Sequence, residues 1–441
     1  MNVARFGRLA ILGLAVALAV PAVASANEVT KWNELAVNTV NAQPPIVSAP
    51  PAGAVFIAMV QGAVYGAVNA TDRHGKPYLV NRSFPKASPD AAAATAAYRV
   101  LWELFPAQRG TLDAAYAASL AAIPDDGEDQ GKAVGEMAAA AMLAEGHDGR
   151  TVIGCAFGPV VPGVWQPLPG PSGAPACDPS PWVKDAKPFV VESASQFRTA
   201  GPYPLGSAAY AADYNEVKEI GSLTSATRMP GQTYAAAFWQ TNPAANYNAI
   251  ARRFVDQLSL DLSDSARLFA MLDLTAADAL INTWNDKYHW NFWRPILAIR
   301  QIGADDGNPA TVADPTWAPL FSAGFPTSPP LPPSPLPVGG LGGPLGTPPY
   351  PDHPSGATAY ASASMNALAS FFGTDEMTFY ATSSRFPGDQ RTFNRFSDLT
   401  SEVLNARIWA GIHFRNPDVQ AETLGREVER YTHKHLFAAA H

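Results

Sequence analysis

Lys287-Tyr-His-Trp-Asn-Phe-Trp-Arg294-Pro295 places two cations seven residues apart in an aromatic run. Because a helix turns once every 3.6 residues, Lys287 and Arg294 are predicted to project from one helix face, about 20° apart. Two cations on one face suit the binding of a tetrahedral oxyanion. A solvated edge above a packed aromatic face explains the same residues, so this stretch alone leaves both interpretations open. Pro295 is predicted to end the helix.

The composition indicates a folded, exported protein. The chain has 441 residues, of which 47% are hydrophobic, enough for one large or two moderate cores. Residues 1–26 contain two arginines, an apolar run and the ending Ala24-Ser25-Ala26, which is typical of a signal peptide for a periplasmic or secreted protein. No later segment offers about twenty uninterrupted apolar residues, so stable membrane insertion is not expected.

The charge argues against nucleic acid as a partner. Removing the two arginines of residues 1–26, which hold no acidic residue, moves the formal net charge from -8 to -10. A strongly basic surface is the usual mark of a nucleic-acid-binding protein, and this chain lacks that balance. An anion site must therefore be a local cluster of Lys, Arg and helix N-termini.

The two cysteines, Cys155 and Cys177, lie in a segment rich in Pro and Gly. In an oxidising compartment they are predicted to form one disulfide that closes this loop. Two free thiols are the alternative.

Apolar residues recur at spacings of three and four along much of the chain, without the alternation of strands. In the N-terminal part this predicts helices at residues 29–40, 54–67, 89–104, 111–122 and 130–144. Further helices are predicted at 207–219, 231–240 and 246–260, and from about 275 into the opening stretch. The expected fold is mainly α, a helical bundle with long Pro/Gly-rich loops.

Two irregular segments interrupt the helices. Residues 151–190 are predicted to form a long surface loop, and residues 305–352 a functional rim or lid rather than a linker, since the helical pattern resumes directly afterwards. We expect a single domain over residues 27–441. Its parts are N-terminal helices at 27–150, the loop at 151–190, and a catalytic helical part at 191–441.

Two more motifs follow the second irregular segment. Ser355 is suited to cap a helix that starts at Gly356, whose N-terminus favours anions. Arg407 and His413 are six residues apart, about 120° around a helix, so they share a face only if the helix bends or ends near Gly411. A buried histidine satisfied by a backbone carbonyl is the alternative for His413.

The order Lys-x6-Arg-Pro, Pro-Ser-Gly, Arg-x5-His resembles the three-part signature of the vanadium-dependent haloperoxidases and the type 2 phosphatidic acid phosphatase superfamily. The resemblance implies their helical-bundle fold and a bound vanadate or phosphate. It implies that the oxyanion is held by Lys287, Arg294, Arg407, Ser355 and the backbone N–H of Gly356.

The resemblance also implies the roles of four further groups. His413 is the expected axial ligand of vanadium or, in a phosphatase, the nucleophile that forms a phosphohistidine. Lys287 is expected to act in catalysis by polarising a bound peroxide. Trp284 and Tyr350 are expected to form walls of the pocket.

The chain departs from the signature at its acid–base group. Ala357 stands where the family has the histidine that follows Ser-Gly, and His353, on the loop side, is the candidate replacement. The acid usually found four residues after the last histidine is displaced, because Pro417 occupies that place and Asp418 comes next. Asp418 is expected to orient His413.

These observations favour a vanadate-dependent haloperoxidase that oxidises bromide or chloride with hydrogen peroxide, with an organic acceptor. The first alternative is an acid phosphatase that cleaves a phosphate ester through a phosphohistidine. The second is a non-catalytic homologue that binds phosphate. Apolar helix faces suit a homodimer as well as a core.

Overall fold

The computed structural model describes residues 27–124, 126–151, 154, 158–168, 175–301, 305–320 and 346–438. The predicted signal peptide and Cys155 lie outside these residues, as does most of the predicted rim. Cys177 is disulfide-bonded, while its pairing with Cys155 stays a prediction.

The first half of the described chain is a bundle of helices. They are α1 (Glu28–Asn41), α2 (Pro45–Ser48), α3 (Pro50–Asp72), α4 (Pro89–Leu104), α5 (Arg109–Ala122) and α6 (Glu128–Ala144). The sequence predicted all of these except the short α2, with ends that differ by up to five residues. Runs of alanine and paired glycines let α4 and α6 lie close together, since a Cβ on Gly135 would meet Thr95 Cβ at 2.6 Å.

The second half continues the bundle around one long helix. Its helices are α7 (Ala208–Ile220), α8 (Pro230–Phe238), α9 (Pro243–Leu258), α10 (Leu262–Trp290), α11 (Pro295–Ile299), α12 (Gly356–Phe372), α13 (Phe396–Trp409) and α14 (Arg415–Thr432). The 29-residue α10 packs against α3, α12 and α14 and is buried for most of its length. The mainly α fold predicted from the periodicity is confirmed.

Three predicted details are wrong. Helix α10 begins at Leu262 and not near residue 275, because Asp261 caps it by accepting from the N–H of Asp264. The catalytic part is not wholly helical, since β1 (Glu376–Thr382) and β2 (Gln390–Arg395) form an antiparallel hairpin. The loop at 151–190 is not all at the surface, because a 3₁₀ turn at Pro181–Asp185 is partly buried against α10.

Helix α3 is apolar on every side. It is the one helix of the described chain that is long and apolar enough to cross a membrane, and the apolar window is wholly buried inside the protein. Such a helix is typical of the centre of a helical bundle.

Helix α12 sits at a close crossing with α14. A Cβ added to Gly425 of α14 would lie 2.7 Å from the carbonyl oxygen of Ala359, so a side chain there would push the two helices apart. The glycine therefore fixes the position of α12, whose N-terminus faces the candidate site.

Candidate active site

The two cations of the opening stretch do not share a helix face. Helix α10 ends at Trp290, because Asn291 adopts a left-handed conformation with φ 45°. Arg294 lies beyond this turn, and Pro295 begins α11 instead of ending the earlier helix. The two cations are both buried, but the turn at Asn291, and not helical periodicity, determines their relative position.

Lys287 holds the segment in front of Ser355. Its ammonium donates to the carbonyl oxygens of Pro351 and Asp352 at 3.0 Å each, and to that of Pro354. These three acceptors use all three of its hydrogens. Burial and the neighbouring Arg294 hold the pKa of Lys287 well below its usual value.

Arg294 joins the same segment to the end of α13. It donates to the carbonyl oxygens of Tyr350 at 2.9 Å and Ile412 at 2.7 Å. One of its NH groups also lies 3.0 Å from Nε2 of His413. In this arrangement Lys287 and Arg294 donate hydrogen bonds to backbone carbonyl oxygens. Their predicted contact with an oxyanion therefore stays a prediction.

The end of α13 brings His413 back towards Arg407. After Trp409 the chain turns at Gly411, whose φ is 75°, and the N–H of Ile412 donates to the carbonyl oxygen of Arg407 at 3.3 Å. A Cβ at Gly411 would meet the carbonyl oxygen of Gly221 at 2.4 Å. The helix therefore ends near Gly411, the condition under which the sequence allowed Arg407 and His413 to lie together.

His413 faces a carboxylate that the sequence analysis did not single out. Its Nδ1 atom lies 2.8 Å from Oδ1 of Asp352, without the alignment of a full hydrogen bond, and both side chains are buried. Because the guanidinium of Arg294 can only donate, Nε2 of His413 must carry a lone pair. A neutral imidazole then has its hydrogen on Nδ1, facing Asp352.

The pKa values of both members of this pair differ from their usual values. Burial, and then the nearby Arg294, hold the pKa of His413 well below its usual value. Burial raises the pKa of Asp352 to about 7, although Arg294 and Lys287 act against the rise. The imidazole is therefore neutral at ordinary pH, with the Nε2 lone pair that a metal ligand or nucleophile needs.

No hydrogen bond or ion pair among the described residues joins Asp418 to His413. It accepts a hydrogen bond from Thr358, and Ser355 also bonds to it. Burial raises the pKa of Asp418 to about 7. The expectation that Asp418 orients His413 is therefore corrected, since Asp352 lies beside the imidazole. The signal that was missed is an acidic residue directly before the His-Pro-Ser-Gly sequence.

The N-terminus of α12 is open. The hydroxyl of Ser355 contacts Thr358 and Asp418 instead of capping the helix, so the predicted cap is absent. Gly356 is required at the first position, because a Cβ there would meet the ring of Trp284 at 2.7 Å. A helix start without a side-chain cap presents N–H groups and a partial positive charge.

Arg407 is a buried cation that forms no ion pair within 4 Å among the described residues. Its side chain is 6% exposed, and its Nε finds no hydrogen-bond partner among the described residues. Burial lowers the pKa of Arg407, and Asp418 opposes that shift. An unpaired buried charge is costly to a fold, so an anionic ligand is its natural partner.

A cavity of about 210 Å³ brings these groups together. His413, Arg407, Gly356 and Ala357 line it, as do the predicted wall residues Trp284 and Tyr350, whose ring centroids lie 5.1 Å apart. Lys287, Arg294 and Ser355 lie behind this surface.

His353 lies on the other side of the loop. Its Nε2 atom is 3.0 Å from the hydroxyl of Thr199, which donates to Asp286 at 2.6 Å. Burial lowers the pKa of His353 to about 3, so it is neutral, and it does not line the described cavity. Its predicted acid–base role has no support from this placement.

Another buried acid, Asp178, supports the cavity wall. It accepts from the indole N–H of Trp284 and the hydroxyl of Tyr288, both at 2.9 Å. Because Asp178 comes from a segment without periodicity, no pattern in the sequence linked it to α10.

Known proteins share both sequence and fold with this chain. Residues 267–440 match the family model described as the VCPO second helical-bundle domain. A vanadium chloroperoxidase of Curvularia inaequalis is 26% identical over 212 residues, which cover 43% of this chain. The match spans about a third, 32%, of that relative's length.

Solved structures extend the likeness over almost the whole fold. A bacterial vanadium-dependent iodoperoxidase superposes with a TM-score of 0.72 at 20% identity, covering 93% of this chain and 98% of that one. A bacterial vanadium-dependent chloroperoxidase in its holo form gives 0.65 at 17% identity, covering 92% and 97%. The family model, the chloroperoxidase relative and the two solved structures together support the resemblance of this chain to the vanadium-dependent haloperoxidases.

Proposed function

We propose that this protein binds vanadate in the described cavity and catalyses the oxidation of bromide or chloride by hydrogen peroxide. The observation that carries the proposal is that Arg407, whose Nε has no hydrogen-bond partner among the described residues, lines one cavity with His413 and the open N-terminus of α12. The relatives named as chloroperoxidases and an iodoperoxidase support the choice of reaction.

The residues present fit a tetrahedral oxyanion. Arg407 supplies a buried N–H without a partner, and the first turn of α12 supplies backbone N–H groups at Gly356. Nε2 of His413, which accepts from Arg294 in this structure, would be the ligand to vanadium. Lys287 and Arg294 add positive charge from behind the cavity, where burial strengthens their field.

The net reaction consumes halide, hydrogen peroxide and one proton, and yields hypohalous acid and water. Two electrons pass from the halide to the peroxide oxygen. Bound vanadate supplies a Lewis acid that polarises peroxide without changing its own oxidation state. This chain positions that group through His413 and stabilises negative charge through Arg407 and the N–H groups of α12.

Among the described residues, His413 is the only histidine that lines the cavity. Ala357 lines it where the family has histidine, and His353 lies outside. We therefore expect oxyanion binding to be retained better than fast turnover, because general acid–base groups contribute roughly 10²–10⁴-fold to rate. Export stays a prediction that rests on residues 1–26.

The decisive assay measures bromination of an organic indicator by peroxide and bromide, with and without orthovanadate, in the wild type and in His413→Ala. Chloride and iodide replace bromide in parallel reactions. Activity that requires both vanadate and His413 supports the proposal, whereas inactivity of a vanadate-loaded protein at several pH values overturns it. Release of phosphate from a generic phosphate ester, inhibited by vanadate, would indicate the phosphatase instead.

A further inference from the structure

The lining of the cavity includes two pairs of electron-rich rings. They are the indoles of Trp239 and Trp284 and the phenols of Tyr247 and Tyr350. At about 30 Å³ per molecule, the cavity of 210 Å³ holds only about seven waters. A reactive molecule released beside His413 therefore meets these rings at close range.

One ring of each pair lies under a cation. Nζ of Lys287 is 5.6 Å from the ring centroid of Trp284 and 5.2 Å from that of Tyr350. The guanidinium carbon of Arg294 is 5.1 Å from the centroid of Tyr350. Lys287 is in its ammonium form, because it donates three hydrogen bonds. Asp352, 3.5 Å from Arg294, offsets at most one of the two positive charges.

The two indoles are otherwise closely matched. The N–H of Trp239 donates to a carboxylate oxygen of Glu402 at 2.8 Å, and that of Trp284 donates to Asp178 at 2.9 Å. The cation–π contacts of the described chain include Trp284, through Lys287, but not Trp239. The cation over the ring is therefore the main difference between the two indoles.

The two tyrosines differ in charge and in exposure. Burial raises the pKa of both phenols, so both rings are neutral. Arg294 opposes the rise for Tyr350, and Arg407 opposes it for Tyr247, where a bound oxyanion would offset the charge of Arg407. Tyr247 is only 2% exposed, whereas Tyr350 is half-buried. Access from solvent therefore favours reaction at Tyr350, and charge favours reaction at Tyr247.

Charge matters because electrophilic attack makes an aromatic ring positive in the transition state. A cation already held over the ring face then repels the developing charge. With about half a unit of charge on a ring about 5 Å from a cation, the repulsion slows attack roughly 15-fold at an effective dielectric constant of about 20. Rings without a cation should therefore react first.

We propose that hypohalous acid formed in this cavity halogenates the protein itself, at Trp239 and Tyr247. Lys287 and Arg294 shield the other ring of each pair from the same reaction. The source of the reagent rests on the proposed function. In each event a ring C–X bond replaces a C–H bond, and the halogen–oxygen bond breaks. The ring supplies the two electrons that reduce the halogen, and the displaced proton leaves with the hydroxide as water.

The first test adds the reagent directly. Hypobromous acid is added in small portions to the folded full chain in orthovanadate, without peroxide or bromide, and peptide mass spectrometry locates the bromine. We expect at least tenfold more bromine on Tyr247 than on Tyr350, and on Trp239 than on Trp284. In the heat-unfolded chain, where no cation is held over a ring, the two members of each pair should be labelled alike.

Two variants separate the site of reaction from the shielding. Tyr247→Phe should lose the bromine at position 247 without gaining it at Tyr350. Lys287→Gln should increase the labelling of Trp284 and Tyr350, and a thermal melt establishes whether this variant folds. If it does not, the comparison of the folded and unfolded wild type still decides. Equal labelling within the pairs of the folded chain, or no bromine at Trp239 and Tyr247, overturns the proposal.

The second test replaces the added reagent with peroxide, bromide and orthovanadate. The same order of labelling would show that the protein generates the reagent that modifies it. Labelling in the expected order by added hypobromous acid, but none with peroxide and bromide, would support the two sites and contradict the proposed haloperoxidase function.

Discussion

The Nδ1 atom of His413 lies 2.8 Å from the Oδ1 atom of Asp352 in a buried pair that Arg294 completes on the opposite side of the imidazole. The pair keeps the lone pair on Nε2, the atom proposed above as the vanadium ligand. We predict that Asp352→Asn lowers vanadate affinity about 10- to 100-fold, the usual effect of removing a group that orients a metal ligand. Equilibrium dialysis with orthovanadate measures this.

Asp273→Asn is the control for that experiment. Asp273 is another buried acid whose pKa burial raises to about 7, and it does not line the described cavity. Its amide variant should retain wild-type vanadate affinity. If Asp352→Asn also retains it, the assignment of Asp352 as the orienting group is wrong.

Arg407 and Arg294 should respond in opposite ways to the same substitution. Arg407→Met removes a buried charge without a partner, so it should abolish vanadate binding while leaving the free energy of unfolding equal or higher in oxyanion-free buffer. Arg294→Met leaves the carbonyls of Tyr350 and Ile412 without a donor and should lower that free energy by about 3 kcal/mol. Urea denaturation and dialysis of both variants measure the contrast. Similar losses of stability in both would contradict it.

Restoring an imidazole at position 357 should accelerate turnover. Ala357 lines the cavity, so Ala357→His places a proton-transfer group beside the oxyanion site, and we expect the kcat for bromide oxidation to rise about tenfold or more. Ala357→Phe adds similar bulk without a titratable group and should not raise it. Equal rates in the two variants would show that bulk, and not proton transfer, matters there.

Asp273 gives the protein a pH-dependent stability. Burial raises its folded pKa from 3.8 to about 7, and one oxygen has no partner among the described residues. The folded state therefore holds a proton that the unfolded state releases near pH 4. This stabilisation is present in full below the unfolded pKa and is lost as pH rises to about 7.

Asp273→Asn should remove that dependence. Relative to the wild type, the variant should gain up to about 4 kcal/mol in unfolding free energy between pH 4 and pH 8, at 1.36 kcal/mol per pKa unit. Urea denaturation at several pH values provides the test. Parallel pH profiles for the two proteins would show that Asp273 is ionised in the fold.

Asp278 fixes the loop that precedes α7. Its carboxylate accepts the backbone N–H groups of Phe189 at 2.6 Å, Val190 at 2.8 Å and Val191 at 3.0 Å. Asp278→Ala leaves three donors unpaired and should lower the free energy of unfolding by about 3–5 kcal/mol. Asp278→Asn, which keeps an acceptor oxygen, should lose less. The same small loss in both variants would mean that water replaces the carboxylate.

The sequence predicted the helices well because apolar spacing reports which face of a helix is buried. It was less reliable where the backbone leaves regular geometry. The helical-wheel relation between Lys287 and Arg294 assumed a helix that continues, whereas Asn291 ends it. The hairpin was missed because the surrounding pattern is helical and its two strands are only seven and six residues long.

The candidate site was predictable in its motifs but not in its pairings. Arg407 and His413 line one cavity, and Lys287 and Arg294 lie behind it. The partner of His413 comes from a segment 61 positions away, Asp352, and no local pattern encodes such a contact. Lys287 donates its hydrogens to backbone carbonyl oxygens, and helical periodicity could not predict this either. The contacts depend on how the loop folds over the end of α10.

The turn at Gly411 explains the number of residues between Arg407 and His413. Those five intervening residues are the length of chain needed to finish one helix, reverse direction once and return the imidazole to Arg294. Adding or removing a single residue there would misplace His413 whatever its identity, so engineering of this site should vary side chains around the reversal and leave its length unchanged.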